Sequence, residues 1–167
     1  VARHAEEMGR GQAERLIPLL EEMLAEAGIA WRDLGRIGVG IGPGNFTGIR
    51  IGVSAARGLA LALDIPAVGV SGFEAIRATG ATGLPAIPAP RDQLYIAPDG
   101  EAARLAPRDT FDMGLAHPPA PAALAEAIAR CAARAVPPFT APAPLYLRPA
   151  DAAPARDLPP VILDDDA

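Results

Sequence analysis

From Gln12 to Ala27 apolar side chains recur at three-and-four spacing, through Ala13, Leu16, Ile17, Leu20, Met23, Leu24 and Ala27. This predicts a helix with one buried stripe, its other side held by Glu14, Glu21, Glu22 and Glu26. Gly28 is a C-terminal stop, and Pro18 inside the run predicts a kink or a loose first turn. A short turn through Trp31-Arg32-Asp33 follows. Arg36 to Ile41 then alternates Ile37, Val39 and Ile41 with glycines, a strand packed closely against something. After the tight loop Gly42–Gly48, which Asn45 or Thr47 caps, a helix is predicted from about Gly48 to Leu63. Ile49, Val53, Ala56, Ala60 and Leu63 form one face. Gly48, Gly52, Ala55, Leu59 and Ala62 form a second, mostly of small residues. A helix apolar on two faces needs two surfaces to bury against. Its own sheet supplies one, and another helix, in this chain or a partner, must supply the other.

Pro66 to Val70 reads as a second short buried strand, and Ser71 with Glu74 as a capping box that opens a helix through about Ala78. Strand, helix, strand, helix over 36–78 predicts an α/β unit with a parallel sheet. Prolines at 85, 88 and 90 assign Leu84–Pro90 to an edge or an irregular segment. Leu94-Tyr95-Ile96 is a short strand. Pro121 to Ala135 is a helix with Pro121 in its first turn and Leu124, Ile128, Cys131 and Ala135 inward. Leu145-Tyr146-Leu147-Arg148-Pro149 is a candidate final strand. The expected division is an α/β lobe at 1–78 carrying the partner-binding helices, a smaller α/β lobe at 79–149, and a Pro/Ala-rich acidic tail at 150–167.

Composition narrows the class. The chain has 167 residues, 50% hydrophobic and 21% charged, with only 4% aromatic. It is long enough for a real core, and that core must come from Leu, Ile, Val and Ala and from backbones that approach closely. Its formal charge of −5, from 15 basic and 20 acidic residues, speaks against gripping nucleic acid alone. Asp164–Asp165–Asp166 reads as a solvated tail before it reads as a metal site. The lone Cys131 excludes an internal disulfide and suits a reducing cytosol, as a core residue and not a reactive thiol. No charge-free apolar run of about eighteen residues is present, so no membrane span is expected. The start lacks an initiator Met and a signal peptide's apolar stretch, consistent with a fragment. Every basic residue is Arg, which removes Schiff-base chemistry, a lysine general base and a P-loop lysine.

The glycine-rich loop is the segment that resembles chemistry. Gly42, Gly44, Asn45, Thr47 and Gly48 lie before a helix N-terminus, where backbone amides can meet phosphate. It matches neither a Walker motif, since Ile49 follows Gly48, nor a dinucleotide fingerprint, since Thr47 stands at the third glycine. Two readings remain: a phosphate loop, and a structural turn that lets the helix pack closely. His4 and His117 have no metal-ligand spacing and read as surface residues, so no metal is expected. Nothing around Ser54 or Ser71 resembles a nucleophile elbow. Asp92 and Glu101 read as loop charges.

Gly40-Ile41-Gly42-Pro43-Gly44-Asn45-Phe46-Thr47-Gly48-Ile49-Arg50-Ile51-Gly52, continuing through Ala55-Ala56-Arg57-Gly58-Leu59-Ala60 to Val68-Gly69-Val70-Ser71, resembles the signature stretch of TsaB/YeaZ proteins. Met8-Gly9-Arg10-Gly11, Glu14-Arg15-Leu16 and Pro18-Leu19 fit as well; Arg91–Tyr95 and Leu145–Pro149 fit less specifically. Asn45 replaces the usual Ser, Gln12 the usual His, and Pro88-Ala89-Pro90 a segment that is often Asp-Ala-Arg. The resemblance implies an actin-like/Hsp70-like (ribonuclease H-like) ATPase fold in a bacterial cytoplasm, here without the opening strands that carry the first phosphate loop. It further implies a non-catalytic scaffold that binds and activates a TsaD homologue. That homologue is the catalytic subunit forming N6-threonylcarbamoyladenosine at position 37 of tRNA, and a TsaE homologue joins as ATPase through the complex. The pairing surface would be the two helices at Gln12–Ala27 and Gly48–Leu63, represented by Leu16, Leu20, Gly48, Gly52, Ala55, Leu59 and Ala62, and a homodimer would use the same surface. No cofactor and no direct tRNA binding by this chain alone are expected. Two other classes stay open: an ATP-binding ATPase or phosphotransferase of the same fold, and a glycoprotease-like peptidase.

Overall fold

The computed structural model describes residues 2–112 and 114–148. Two strands, β1 (Ile37–Gly40) and β2 (Ala67–Val70), pair in parallel, with Gly38 beside Val68 and Gly40 beside Val70. The connection between them is helix α2 (Phe46–Leu63), so β1-α2-β2 is a crossover unit of the kind the sequence predicts. Side chains alternate across a strand. Val39, with Ile37 and Ile41, therefore meets α2 through Ile49, Val53 and Ala56. The opposite face receives α4 (Pro121–Arg134), where Val68 and Val70 meet Ala127, Ala132, Leu124 and Ile128.

Glycine makes that second layer fit. A Cβ on Gly38 would come 2.7 Å from the Ala132 Cβ and 3.3 Å from the Ile128 carbonyl oxygen; one on Gly40 would come 3.1 Å from Ile128 Cδ1. The close packing expected around this strand is a helix lying on its glycine face. Arg36, one residue before β1, donates from one nitrogen to the carbonyls of Ala132 and Ala135, both at 2.8 Å, and so satisfies the C-terminal end of α4. Although α4 follows the second sheet in the chain, it covers the first.

Helix α3 (Gly72–Ala78) opens on the predicted capping box. Ser71 Oγ accepts from the Glu74 amide at 3.2 Å, and the Glu74 carboxylate accepts from the Ser71 amide and hydroxyl at 2.7 Å each. It packs between α4 and a four-stranded sheet ordered β5-β4-β3-β6, where β3 is Leu84–Ala89, β4 Gln93–Ile96, β5 Arg104–Pro107 and β6 Leu115–Ala116. Leu94, Ile96, Ala86 and Ala106 form one buried cluster of this sheet, while Phe73 of α3 joins Tyr95 and Ala97 in another.

The proline-rich segment departs from expectation. Leu84–Ala89 is an inner strand, paired antiparallel with β4 along 86–89 and in parallel with β6 at Leu84 and Pro85. Hydrogen-bond parity explains the tolerance. The Ala97 amide donates to the Pro85 carbonyl at 3.3 Å, so position 85 is one of the sites whose own N–H would answer toward β4. Proline cannot, and the Ala97 carbonyl is served instead by Arg77, whose guanidinium donates to it at 2.7 Å and also pairs with Asp99 at 2.9 Å. Pro88 falls on the opposite parity, facing the side where β6 has already ended. The strand is inner at its start and an edge at its finish.

A second departure lies at 145–148. The expected final strand is irregular backbone there, and Pro149 and the 150–167 tail lie outside the described residues. Leu145 donates to the Ile41 carbonyl at 2.7 Å, but Pro142 and Pro144 just before it lack the N–H groups that would extend a ladder. Leu145 and Leu147 still pack beside Phe73 and Tyr95.

The first helix, α1 (Gln12–Ala27), has the predicted bounds and remains one helix through Pro18. Its apolar stripe is not buried: none of its residues is, and its main neighbour is α2. Before it, irregular chain is fastened by charges, Arg3 to Glu126 of α4 at 2.8 Å and Glu6 to Arg15 at 2.9 Å. Arg15 also grips Glu22 at 2.7 Å and holds that carboxyl below its ordinary pKa; Arg130 does the same for Glu126. Among the described residues α2 is long and apolar enough to cross a membrane by length and composition, yet four of its residues lie in the protein's own core.

Two substitutions test this architecture in urea unfolding. Gly38→Ala pushes a methyl into α4 and should lower stability by about 1–3 kcal/mol. Arg77→Ala leaves the Ala97 carbonyl unserved and should cost about 1 kcal/mol. Adding Pro85→Ala, which restores the ladder N–H, should recover part of the second loss and not of the first.

Candidate partner-binding surface

Helix α2 begins where the sequence places a cap. Asn45 is extended, and its side-chain oxygen accepts from the Gly48 amide at 2.7 Å. The helix starts at Phe46, two residues before the expected Gly48. Of the loop residues, Gly42 has φ 100°, open to glycine and strained for other residues, and its missing side chain leaves room for Ile49 Cδ1 and the Leu145 carbonyl oxygen. Its carbonyl accepts from the Gly72 amide at 2.9 Å, which ties the loop to the start of α3. Gly44, Asn45, Thr47 and Gly48 are exposed. The Gly48 amide is thus taken by Asn45, and Gly42 is packed under Ile49.

The two faces of α2 separate clearly. Ile49, Val53, Ala56 and Ala60 are buried, whereas Leu63 at the end of that row is half-buried. On the second row Gly52, Ala55 and Leu59 are half-buried, and Gly48 and Ala62 are exposed. A Cβ at Gly52 would meet only Val39 Cγ2 among the described residues, at 3.8 Å, so there is room beside this position. Leu16 and Leu20 of α1 are half-buried beside it, and Ile17 is 37% exposed. The structure thus brings the α1 and α2 positions singled out by the sequence onto adjoining helices. The Gly42–Gly48 loop sits at the N-terminal end of the same helix.

Sequence reasoning missed one cluster. Arg50 lies over the Phe46 ring at 3.9 Å, and its Nε donates to the Tyr146 hydroxyl at 2.9 Å; the two rings stack with centroids 4.6 Å apart. Phe46 and Arg50 are one helical turn apart, which the sequence does show, but Tyr146 arrives from 96 residues downstream of Arg50.

The remaining candidates carry no assembled chemistry. His4 is exposed and 3.8 Å from Glu6, and exposed His117 places Nδ1 3.2 Å from the Ala86 carbonyl. Cys131 is half-buried against the α4 core, where desolvation, with help from Glu74, pushes its thiol pKa up and away from nucleophilic character. Asp92 has φ 53° in the turn between β3 and β4, and Glu101 lies 3.8 Å from Arg104. Among the described residues no three His, Cys, Asp or Glu side chains gather as a metal site.

Comparison with known proteins adds a family. A family model described as "TsaD: tRNA N6-adenosine threonylcarbamoyltransferase" matches residues 4–144. The tRNA threonylcarbamoyladenosine biosynthesis protein TsaB of Escherichia coli is 37% identical over 98 residues, 55% of this chain and 42% of the relative. TsaB of Bacillus subtilis is 37% identical over 99 residues, 57% of this chain and 43% of the relative. The matched stretch is thus less than half the length of either. A Pseudomonas aeruginosa crystal structure, described as an uncharacterized protein with similarity to peptidase YEAZ, superposes with TM-score 0.67 at 26% identity, covering 87% of this chain and 88% of that one.

The cap gives a test of this end of the surface. Asn45→Ala removes the bond to the Gly48 amide and should lower thermal stability by about 1 kcal/mol, whereas Asn45→Ser, which keeps an acceptor, should lose little.

Proposed function

The chain belongs to the TsaB/YeaZ family, within the wider family whose model covers residues 4–144, and on that premise we propose that it is a non-catalytic partner subunit in tRNA threonylcarbamoyladenosine biosynthesis. Its α/β fold is the actin-like one of the YeaZ structures it superposes on. The subunit works by docking: it binds a TsaD homologue, the catalytic member, and holds it in its active form, with a TsaE homologue joining through the complex. A second copy of the chain competes for the same surface. The setting is the bacterial cytoplasm, tRNA is held by the assembly and not by this acidic chain alone, and no cofactor belongs to the chain itself.

One observation carries this reading. The row Gly52, Ala55 and Leu59 is apolar and only half-buried among the described residues, and it adjoins an α1 that buries none of its own apolar stripe. Small residues let a foreign helix approach closely, so dispersion and desolvation act over many atoms at once. Leu16 and Leu20 supply the larger contacts at its border.

Size-exclusion chromatography with the TsaD homologue of the same organism tests the proposal. Gly52→Leu and Ala55→Glu should each weaken association by about 2 kcal/mol or more, roughly thirtyfold, and abolish co-elution at micromolar concentration while the isolated chain keeps its circular dichroism. Co-elution unchanged in both variants would remove this surface from the interface.

A further inference from the structure

Helix α2 has a third face, which docking leaves unused. At about 100° per residue, Arg50, Ser54, Arg57 and Leu61 fall on one strip roughly 160° around the helix from Gly52, Ala55 and Leu59. The strip is open, with Leu61 86% exposed. Against it lies the irregular segment that ends in Pro144 and Tyr146, and between the two runs a groove of about 500 Å³ lined by Arg50, Val53, Ser54, Arg57, Pro144 and Tyr146. That volume is within the range of small-molecule sites, about 300–1,000 Å³.

Among the described residues no carboxylate answers the charges in this groove. Elsewhere five arginines pair with carboxylates, Arg3 and Arg130 with Glu126, Arg15 with Glu6 and Glu22, Arg77 with Asp99, and Arg104 with Glu101. No carboxylate lines this groove; Asp64, further along α2, lines the neighbouring one. Arg57 makes no ion pair or hydrogen bond among the described residues. Arg50 is held in place by Phe46 and the Tyr146 hydroxyl, neither of which cancels its charge. Two cations seven residues apart on one helix are separated by roughly 10 Å along its axis, a spacing that long arginine side chains span toward a common, extended ligand. A fixed guanidinium loses less freedom on binding an oxyanion than a mobile one.

We propose that the groove between α2 and Pro144–Tyr146 binds a small elongated anion bearing two oxyanion groups, one taken by Arg50 and one by Arg57, with the Ser54 hydroxyl between them. The ligand's oxyanions are phosphate or carboxylate. The site rests on the geometry of α2 itself, lies away from the docking row, and is distinct from the Gly42–Gly48 loop.

Isothermal titration calorimetry at low salt on the full chain, with inorganic tripolyphosphate in one arm and glutarate in the other, tests it. Saturable one-site binding in either arm is expected, and the tighter arm identifies the oxyanion. Arg57→Gln, which removes a side chain without an ion pair or hydrogen bond among the described residues, should weaken binding about tenfold or more at unchanged melting temperature. Asn45→Ala and Gly52→Leu should leave the affinity as it was. Absence of binding in both arms, affinity that survives Arg57→Gln, or affinity lost in Asn45→Ala would each overturn the proposal.

Discussion

Gly38 and Gly40 hold this structure together by what they omit. With no side chains on one face of β1, α4 settles against the strand backbone, and the valines of β2 at the same level provide the apolar contact. That face is then closed. The other face is covered by α2, with Pro142 against Gly69, and α2 gives Ile49, Val53, Ala56 and Ala60 to it. Two strands offer a narrow platform, so a single helix overhangs it. What overhangs is the row of small residues on one side and the arginine strip on the other. Both surfaces of functional interest are therefore by-products of a thin sheet between two helices.

Much of this was legible in the residues, and the reasons are local. The ends of α1, α2, α3 and α4 are written in single side chains: Gly28, Asn45, the pair Ser71 and Glu74, and Pro121. The alternation of Ile37, Val39 and Ile41 with glycine stated both the strand and its close neighbour. Other features depend on partners far away in the chain. That Pro85 and Pro88 can lie in a strand is decided by which carbonyl Arg77 reaches and by where β6 stops, and neither fact is visible in Leu84–Pro90 itself. Leu145–Arg148 carries strand-forming residues, but the prolines before it remove the donors. β6 is too short, at two residues, to leave a periodic signal. The unburied stripe of α1 was the reverse case: periodicity announces an apolar face and says nothing of whether its cover belongs to the same polypeptide.

Family membership and packing bear on each other. The signature-like stretch Gly40–Gly52 runs from the end of β1 through the glycine loop into α2, where the backbone geometry is tightly constrained. Gly42 must take a left-handed conformation under Ile49, and Gly69 must admit Ile41 Cγ2, which its Cβ would meet at 2.8 Å. Gly52, in contrast, has space around it, so sterics within this chain do not demand a glycine there. That opening is the feature on which the docking proposal rests.

Pro88 has one more effect. It stands where β3 turns from an inner strand into a free margin, and it presents a ring where a ladder would need a donor. A stray extended segment from a neighbouring molecule would find no complete row of hydrogen bonds to copy. The same ring that interrupts the strand's row of donors shields its margin from edge-to-edge pairing at high concentration.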